Sequence, residues 1–124
     1  MSAIGPRRKT QRFDRARRLR KRWQFEAAYR QGARFFGPGL KVVIAANSQG
    51  PRLGCAISKK VGNAVVRNRV RRLLREAFRQ RAEMLPNVDI IVTVSPGHTF
   101  ADLEALKSAF LPLLERTKKF RGRP

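Results

Sequence analysis

The sequence predicts a small α+β domain, an α/β sandwich in which helices pack on one sheet in the order α-β-β-α-β-α. Three observations predict this fold. Two short β-branched segments follow one another early in the chain, and a strongly apolar segment lies near residue 90. Around them, apolar residues recur every three or four positions, as amphipathic helices require. The length of 124 residues suggests one domain with a modest core.

The first helix is predicted over 19–31 and is ended by Gly32. Trp23 falls on one side of this helix, and Phe25 and Tyr29 lie one turn apart on another. The helix therefore has two partly apolar faces, of which one can pack on the core. The aromatic face is either core as well, which is the commoner outcome, or the wall of a groove whose rings stack on nucleobases.

The two early strands are predicted over 40–46 and 52–58, and 35–39 is predicted to end in a turn or loop before them. Residues 47–51 carry a turn signal between the strands. Because the strands are adjacent and joined by a short turn, we expect them to pair as a β hairpin. Small residues on one face of the second strand leave room for another group to approach the sheet.

The main helix is predicted over 63–84 and is ended by Pro86. Its apolar residues recur at helical spacing: Val66, Val70, Leu73, Leu74, Ala77 and Phe78. Its arginines include a series with one member every four residues: Arg67, Arg71, Arg75 and Arg79. Like charges at this spacing repel by roughly a few tenths of a kcal/mol per pair. The cationic face is therefore either well solvated, the commoner case for a single charge run, or has an anionic partner.

The remaining elements are a strand over 88–95 and a last helix that begins near Phe100. The strand is so apolar that we expect it to be central in the sheet. It could lie parallel to the strand before the basic helix and so form one βαβ unit. Thr99 and Asp102 are spaced as a capping box for the last helix. Pro112 is expected to kink or break that helix.

Charge dominates the composition, since 29 lysines and arginines against eight acidic residues give a formal net charge of +21. A chain this basic binds polyanions at least non-specifically, and nucleic acid is the leading candidate. Residues 1–18 are expected to be a basic arm that is disordered until it meets an anion. A single RNA-binding domain is expected over 19–118, followed by a basic tail over 119–124.

Several features that the sequence lacks limit the cellular compartment and the kinds of site that we expect. No apolar run is long enough to span a bilayer and no secretory signal is recognisable, so we expect a cytoplasmic protein with no membrane partner. Cys55 is the single cysteine, which excludes an internal disulfide and favours a buried small hydrophobe. With scattered carboxylates and His98 as the single histidine, we expect no catalytic residue and no metal site in this polypeptide.

Residues 59–75, Lys-Lys-Val-Gly-Asn-Ala-Val-Val-Arg-Asn-Arg-Val-Arg-Arg-Leu-Leu-Arg, resemble the signature of the bacterial ribonuclease P protein subunit. The "RNR" motif of that family is here Arg67-Asn68-Arg69, and the resemblance extends over about 17–118. It implies a βαβ crossover of unusual left hand around the basic helix. It also implies a subunit of an endoribonuclease in which the RNA component hydrolyses precursor tRNA to give the mature 5′ end. Mg²⁺ would be held by the catalytic RNA and substrate, with no obligate protein partner.

The resemblance also implies two binding sites. The 5′ leader of precursor tRNA is expected in a cleft between the first helix and the sheet, formed by Phe25, Tyr29, Val43, Lys59 and Lys60. Val43 aligns with an aromatic of many members, so only van der Waals contact is expected there. The cationic helix is expected to bind RNA through Arg67, Asn68, Arg69, Arg71, Arg72 and Arg75.

Within that helix, Arg67 and Arg71 are the candidates for contacts to the catalytic RNA or the leader backbone. Asn68 either holds a loop or a hydrated metal ion, or bonds to the connection between strand and helix.

Two other functions fit the composition. A ribosomal protein or a non-specific RNA chaperone would be equally small and basic, and the signature is what favours ribonuclease P. A membrane-active cationic protein is disfavoured because the apolar pattern predicts a packed core.

Overall fold

The computed structural model describes residues 17–120, which form one four-stranded sheet with helices on both faces. The helices are α1 (Arg22–Gln31), α2 (Ala64–Arg81) and α3 (Leu103–Leu114). The strands are β1 (Ala33–Gly37), β2 (Leu40–Ala46), β3 (Arg52–Ala56) and β4 (Val88–Val94). Short 3-10 helices follow α2 at Ala82–Met84 and α3 at Glu115–Phe120. The α+β class is confirmed, with one strand more than the sequence predicted.

The strand order is β1-β2-β4-β3, with β4 antiparallel to β2 and parallel to β3. The predicted hairpin between β2 and β3 is wrong, because β4 lies between them. Five of the seven residues of β4 are hydrophobic and almost completely buried. A strand whose two faces are both covered belongs in the middle of the sheet, where both clusters include its side chains. The prediction that β4 is central is confirmed.

The hairpin of this sheet is formed by β1 and β2, which pair from Ala33↔Ile44 to Gly37↔Leu40. Pro38 and Gly39 make its two-residue loop, and Gly39 has φ of 75°, which a glycine adopts without strain. Residues 35–37 therefore belong to a strand, not to a loop. A glycine-containing dipeptide between two β-prone runs is a hairpin signal that predicts this pairing.

The unit β3-α2-β4 is a parallel βαβ crossover, as predicted, with β3 and β4 paired from Arg52↔Asp89 to Ala56↔Thr93. The hand of this crossover stays a prediction. α2 and α3 cover one face of the sheet over the main core, to which α2 contributes Val70, Leu74, Ala77 and Phe78. α2 therefore presents the apolar stripe that its sequence predicted.

A smaller cluster lies on the opposite face beneath α1, formed by Leu19, Ala28, Val43, Ala45 and Ile91. Phe25 and Tyr29 pack against this cluster and remain partly exposed, whereas Trp23 points outward with 62% of its surface exposed. The aromatic face of α1 is thus the one that meets the sheet.

The helix starts are set by side-chain caps. Asn63 Oδ1 accepts a hydrogen bond from the Val66 amide at 3.0 Å at the start of α2. Asp102 Oδ1 accepts from the Ala105 amide at 2.9 Å, so α3 begins at Leu103 and not near Phe100. Phe100 has φ of 54°, outside the helical region, which is why Thr99 does not cap this helix.

The ends of α3 and of the chain also differ from expectation. The helix continues through Pro112 to Leu114 without a break, and the chain then tightens into a 3-10 helix that includes residue 119. Arg18, which the sequence placed in the basic arm, pairs in parallel with Leu53 and thus belongs to the domain. The rest of the predicted arm, 1–16, lies outside the described residues, as do 121–124.

Candidate nucleic-acid interface

The site is built on the face of the sheet that carries α1. The strand register places side chains in rows that run across all four strands. One row consists of Arg34, Val43, Ile91 and Gly54, and the next consists of Phe36, Lys41, Thr93 and Ala56. We call the second set the open row, because α1 lies over the first set and leaves the second partly exposed.

Two glycines show how closely α1 approaches the sheet. A Cβ built on Gly54 would lie 2.8 Å from the ring of Phe25, and one on Gly32 would lie 2.4 Å from Val43 Cγ1. Both distances are shorter than a real Cβ contact, so the close packing depends on the missing side chains. α1 therefore crosses the sheet from β3, where the Phe25 ring covers Gly54, to β2, where Gly32 at the C-terminal end of α1 lies against Val43.

Val43 is buried beneath α1, whereas a contact to RNA requires an exposed side chain. Its exposure is 0%, and it is enclosed by α1 together with Ala28 and Ile91. This placement does not fit the expectation that Val43 contacts the leader, because no part of its side chain is on the surface. The reason is that an aliphatic side chain at this position fits entirely beneath the helix.

The other four predicted cleft residues lie on α1 and in the turn after β3, the two segments that border this face of the sheet. Phe25 and Tyr29 project from α1 on one side, and Lys59 and Lys60 are exposed in the turn that follows β3. The amide of Val61 donates to the carbonyl of Ser58 at 3.1 Å and holds this turn. Four strands spaced by about 4.8 Å make the row roughly 14 Å long. Aromatic rings and ammonium groups thus flank a narrow strip of sheet.

Sequence reasoning missed two residues of this strip, Phe36 and Lys41. Phe36 lies in the segment 35–39, for which the sequence predicted only a turn or loop at its end, and Lys41 received no role. In the structure they are cross-strand partners, and Phe36 has 72% of its surface exposed. The hairpin signal at Pro38-Gly39 fixes this pairing and would have found them.

The RNR motif separates into residues that face the domain and residues that face solvent. Arg69 donates from Nη1 to the carbonyls of Thr99 and Phe100, both at 2.7 Å, and from Nη2 to the carbonyl of Ala101 at 2.5 Å. Its guanidinium therefore braces the loop between β4 and α3. The prediction that Arg69 binds RNA does not fit this placement.

Arg67 also has a partner within the domain, because its Nε donates to the carbonyl of Gly62 at 3.2 Å. This bond fastens the connection between β3 and α2, the structural role that the sequence had left open for Asn68. Asn68 is instead exposed, and its Oδ1 accepts from Arg71 Nη1 at 3.1 Å. Arg72 is exposed as well and Arg71 is half-buried, so Asn68 is the residue of the motif that faces solvent, and Arg71 and Arg72 follow it on α2.

The other flank of α2 lies over β3. Burial raises the pKa of the Cys55 thiol to about 11, although the nearby positive charges of Arg75, Arg71 and Arg18 lower it. Cys55 therefore keeps its proton at physiological pH, and it is half-buried against the main core rather than fully buried as predicted.

Asp89, Glu26 and Glu76 pair with arginines. Acidic residues are so few in the sequence that such pairs leave most of the positive charge without a counter-charge. Asp89, next to the cluster under α1, accepts from Arg52 Nε at 2.8 Å and Nη2 at 3.1 Å and from Asn47. Glu26 pairs with Arg22 on α1, and Glu76 pairs with Arg79 on α2. Hydrogen bonding to Arg79 lowers the pKa of Glu76, so this carboxylate is ionised.

Within the described part of the chain, no three His, Cys, Asp or Glu side chains come close enough to hold a metal ion. Over the same 17–120 range, no helix combines the length and apolar character needed to cross a bilayer. What the site offers chemically is a set of aromatic faces and cations on a fixed scaffold. These groups are suited to binding phosphates and bases.

Comparisons with known proteins agree with this chemistry. The family model for ribonuclease P matches residues 13–118. The ribonuclease P protein component of Brevibacillus brevis is 36% identical over 114 residues, covering 89% of this chain and 90% of the relative. That of Gluconacetobacter diazotrophicus is 44% identical over 97 residues, covering 73% and 84%.

Solved structures show the same fold. The RNase P protein of Staphylococcus aureus superimposes with a TM-score of 0.71 at 28% identity, covering 86% of this chain and 95% of that protein. The RNase P protein of Thermotoga maritima gives a TM-score of 0.72 at 28% identity, covering 80% and 96%. With the family model matching most of its length, this chain belongs to the ribonuclease P protein family.

Proposed function

We propose that this chain is the protein component of ribonuclease P and acts in removing the 5′ leader of precursor tRNA to give the mature 5′ end. One observation carries the assignment of the leader to this site. Phe25 and Tyr29 lie on the face of the sheet that carries the partly exposed open row, and Lys59 and Lys60 are exposed just after β3, where that row ends at Ala56. A single-stranded leader presents bases that stack and phosphates that need cations, and this strip matches both.

The second surface consists of Asn68 of the RNR motif together with Arg71 and Arg72, and we assign it to the catalytic RNA. Asn68, Arg71 and Arg72 project from the first half of α2, close in sequence to the turn that bears Lys59 and Lys60. α2 is fixed on the sheet by its buried stripe, so these side chains are held by a rigid element. Rigid placement lowers the entropy lost when RNA binds.

The RNA component is assigned the hydrolysis of the phosphodiester bond, and the protein contributes binding. Mg²⁺ belongs to the catalytic RNA and the substrate in this proposal. The protein increases the affinity of the holoenzyme for precursor tRNA relative to mature tRNA, because mature tRNA has no leader to place in the cleft. The other candidates, a ribosomal protein or an RNA chaperone, receive no support from the comparisons.

Reconstitution tests this function directly. The chain is combined with the large ribonuclease P RNA of its own source, and cleavage of a precursor tRNA is measured across a series of Mg²⁺ concentrations. We expect stimulation that is greatest at low Mg²⁺, where the RNA alone is least active. An absence of stimulation over the whole series would refute the assignment.

A further inference from the structure

Phe36 is an exposed aromatic for which neither the core nor the predicted site accounts. It lies on β1, the edge strand, and 72% of its surface is exposed. Single exposed hydrophobic residues are common on proteins, so exposure alone indicates nothing. The position of Phe36 is what distinguishes it, because it ends the open row on the face that bears α1.

The residues next to Phe36 have the properties of a nucleotide subsite. Lys41 is its cross-strand partner, and side chains paired in this way have Cβ atoms about 5 Å apart. Thr93 follows in the row, and its hydroxyl can donate to a phosphate or a sugar oxygen. Ala56 ends the row with a small side chain, beside the turn that bears Lys59 and Lys60.

Charge complementarity identifies the occupant. The strand residues on this face include one carboxylate, Asp89, and it is neutralised by Arg52. The open row itself carries a lysine and no acid, and a chain of net charge +21 favours a polyanion. An aromatic ring next to an ammonium group suits a single-stranded nucleic acid in particular, since the ring takes a base and the cation takes the adjoining phosphate.

We propose that the open row is a further subsite for single-stranded RNA, in which Phe36 stacks on a base of the 5′ leader and Lys41 binds the neighbouring phosphate. This inference rests on the proposed function, since it extends the same cleft across the sheet from β3 to β1. The leader then follows the row over about 14 Å, from the Lys59–Lys60 turn at one edge to Phe36 at the other. Phe36 thereby supplies an aromatic platform on this face, where Val43 is buried.

The test uses the reconstituted holoenzyme and a precursor tRNA whose leader carries the fluorescent base 2-aminopurine at one position at a time. Stacking on an aromatic ring quenches this fluorescence. We expect one leader position to be quenched by wild type and by Phe36→Tyr, and to recover its fluorescence with Phe36→Ala. Affinity for precursor tRNA should fall at least about fivefold in Phe36→Ala, which corresponds to the weaker end of measured base–aromatic stacks.

Met84→Ala is the matched control, because Met84 is also a large exposed hydrophobic residue but follows the C-terminal end of α2. We expect this variant to bind precursor tRNA as wild type does. The inference is overturned if Phe36→Ala retains wild-type affinity and quenching, or if it loses affinity for precursor and mature tRNA equally. If wild type itself fails to prefer precursor over mature tRNA, the proposed function falls, and that result is separable from the effect of Phe36.

Discussion

Arg69 Nη1 lies 2.7 Å from the carbonyl oxygen of Phe100, a residue 31 positions away whose backbone has φ of 54°. The same guanidinium also binds the carbonyls on either side. Three carbonyls that point to one centre need a planar cation with several donors, and arginine is the side chain that supplies this. The second arginine of the RNR motif thus joins α2 to the loop before α3.

Replacing Arg69 should therefore reduce stability more than it reduces RNA binding. Arg69→Ala removes three hydrogen bonds from a charged donor, and we expect a loss of about 2 kcal/mol in the free energy of unfolding. Urea denaturation measures this value. Arg72→Ala, in which an exposed arginine of the same helix is lost, should change stability by less than about 0.5 kcal/mol. Equal stability losses in the two variants would contradict the assignment.

Arg72 should instead affect the salt dependence of binding. Each contact to a phosphate of single-stranded nucleic acid adds about 0.7 to the slope of log affinity against log salt concentration. We expect Arg72→Ala to lower that slope for holoenzyme assembly or precursor binding. Arg67→Ala should lower it less, because Arg67 bonds to Gly62 within the domain. If the slope changes only in Arg67→Ala, then Arg67 contacts the phosphate and Arg72 does not, which contradicts this assignment.

Tyr29 gives a test of the aromatic wall of the cleft. Tyr29→Ala should weaken binding of precursor tRNA by about 1–3 kcal/mol, the contribution of one base–aromatic stack. Tyr29→Phe keeps the ring and should retain most of the affinity. Binding of mature tRNA, which lacks a leader, is the comparison that matters. If both tRNAs lose affinity equally, Tyr29 does not contact the leader.

Gly54 should control the position of Phe25. The added methyl group of Gly54→Ala would lie 2.8 Å from the Phe25 ring and 3.0 Å from Leu19 Cβ, so the ring must move. We expect a loss of about 1–3 kcal/mol in stability, together with weaker binding of precursor tRNA. Adding Phe25→Leu to this variant should restore part of the stability, because the smaller side chain relieves the overlap. Additive stability losses in the double variant would show that the two residues do not interact.

The raised pKa of Cys55 predicts that the stability of the folded protein depends on pH. Its pKa is raised from 9.0 to about 11 in the folded protein, so the thiol keeps its proton while the unfolded chain loses it. The stability that this group contributes is complete below pH 9 and is lost as the pH rises towards 11. Wild type should therefore lose more stability than Cys55→Ala over this interval. The comparison is needed because lysines titrate in the same range in both proteins.

The same thiol should react slowly with iodoacetamide. The difference between 9.0 and about 11 lowers the thiolate fraction at pH 8 by about 100-fold relative to the unfolded chain. Reaction in urea provides the reference rate. A native rate close to that reference would place Cys55 in solvent.

The spacing of apolar residues was sufficient to predict the elements whose burial depends on a simple apolar pattern. The stripe that includes Val70 and Phe78 predicted α2 and the face it buries, and the apolar run at 88–95 predicted a central strand. The parallel pairing of β3 with β4 was predicted, but the β2–β3 hairpin was predicted wrongly, because β4 lies between these strands and pairs with both. That choice depends on the global burial of β4, which no local segment encodes.

The roles of the site residues stay predictions, whereas the elements that carry these residues could be predicted from the sequence. Phe25, Tyr29, Lys59 and Lys60 were placed on the correct elements because helix spacing and strand ends fix them. The roles of Arg67 and Arg69 depended on which carbonyls folded nearby, and loop conformations such as that of Phe100 are not visible in residue patterns.

The strand order also has a consequence for when the domain can form during synthesis. β1 and β2 can pair as soon as both have left the ribosome, but β3 has no strand partner in the sheet until β4 is made some 30 residues later. Contacts so distant in sequence are slow to form because a long loop must close first. The arginines of α2 are therefore exposed to cellular RNA before the sheet that orients them is complete. The open row likewise cannot form before β4 is made, because Thr93 belongs to that strand.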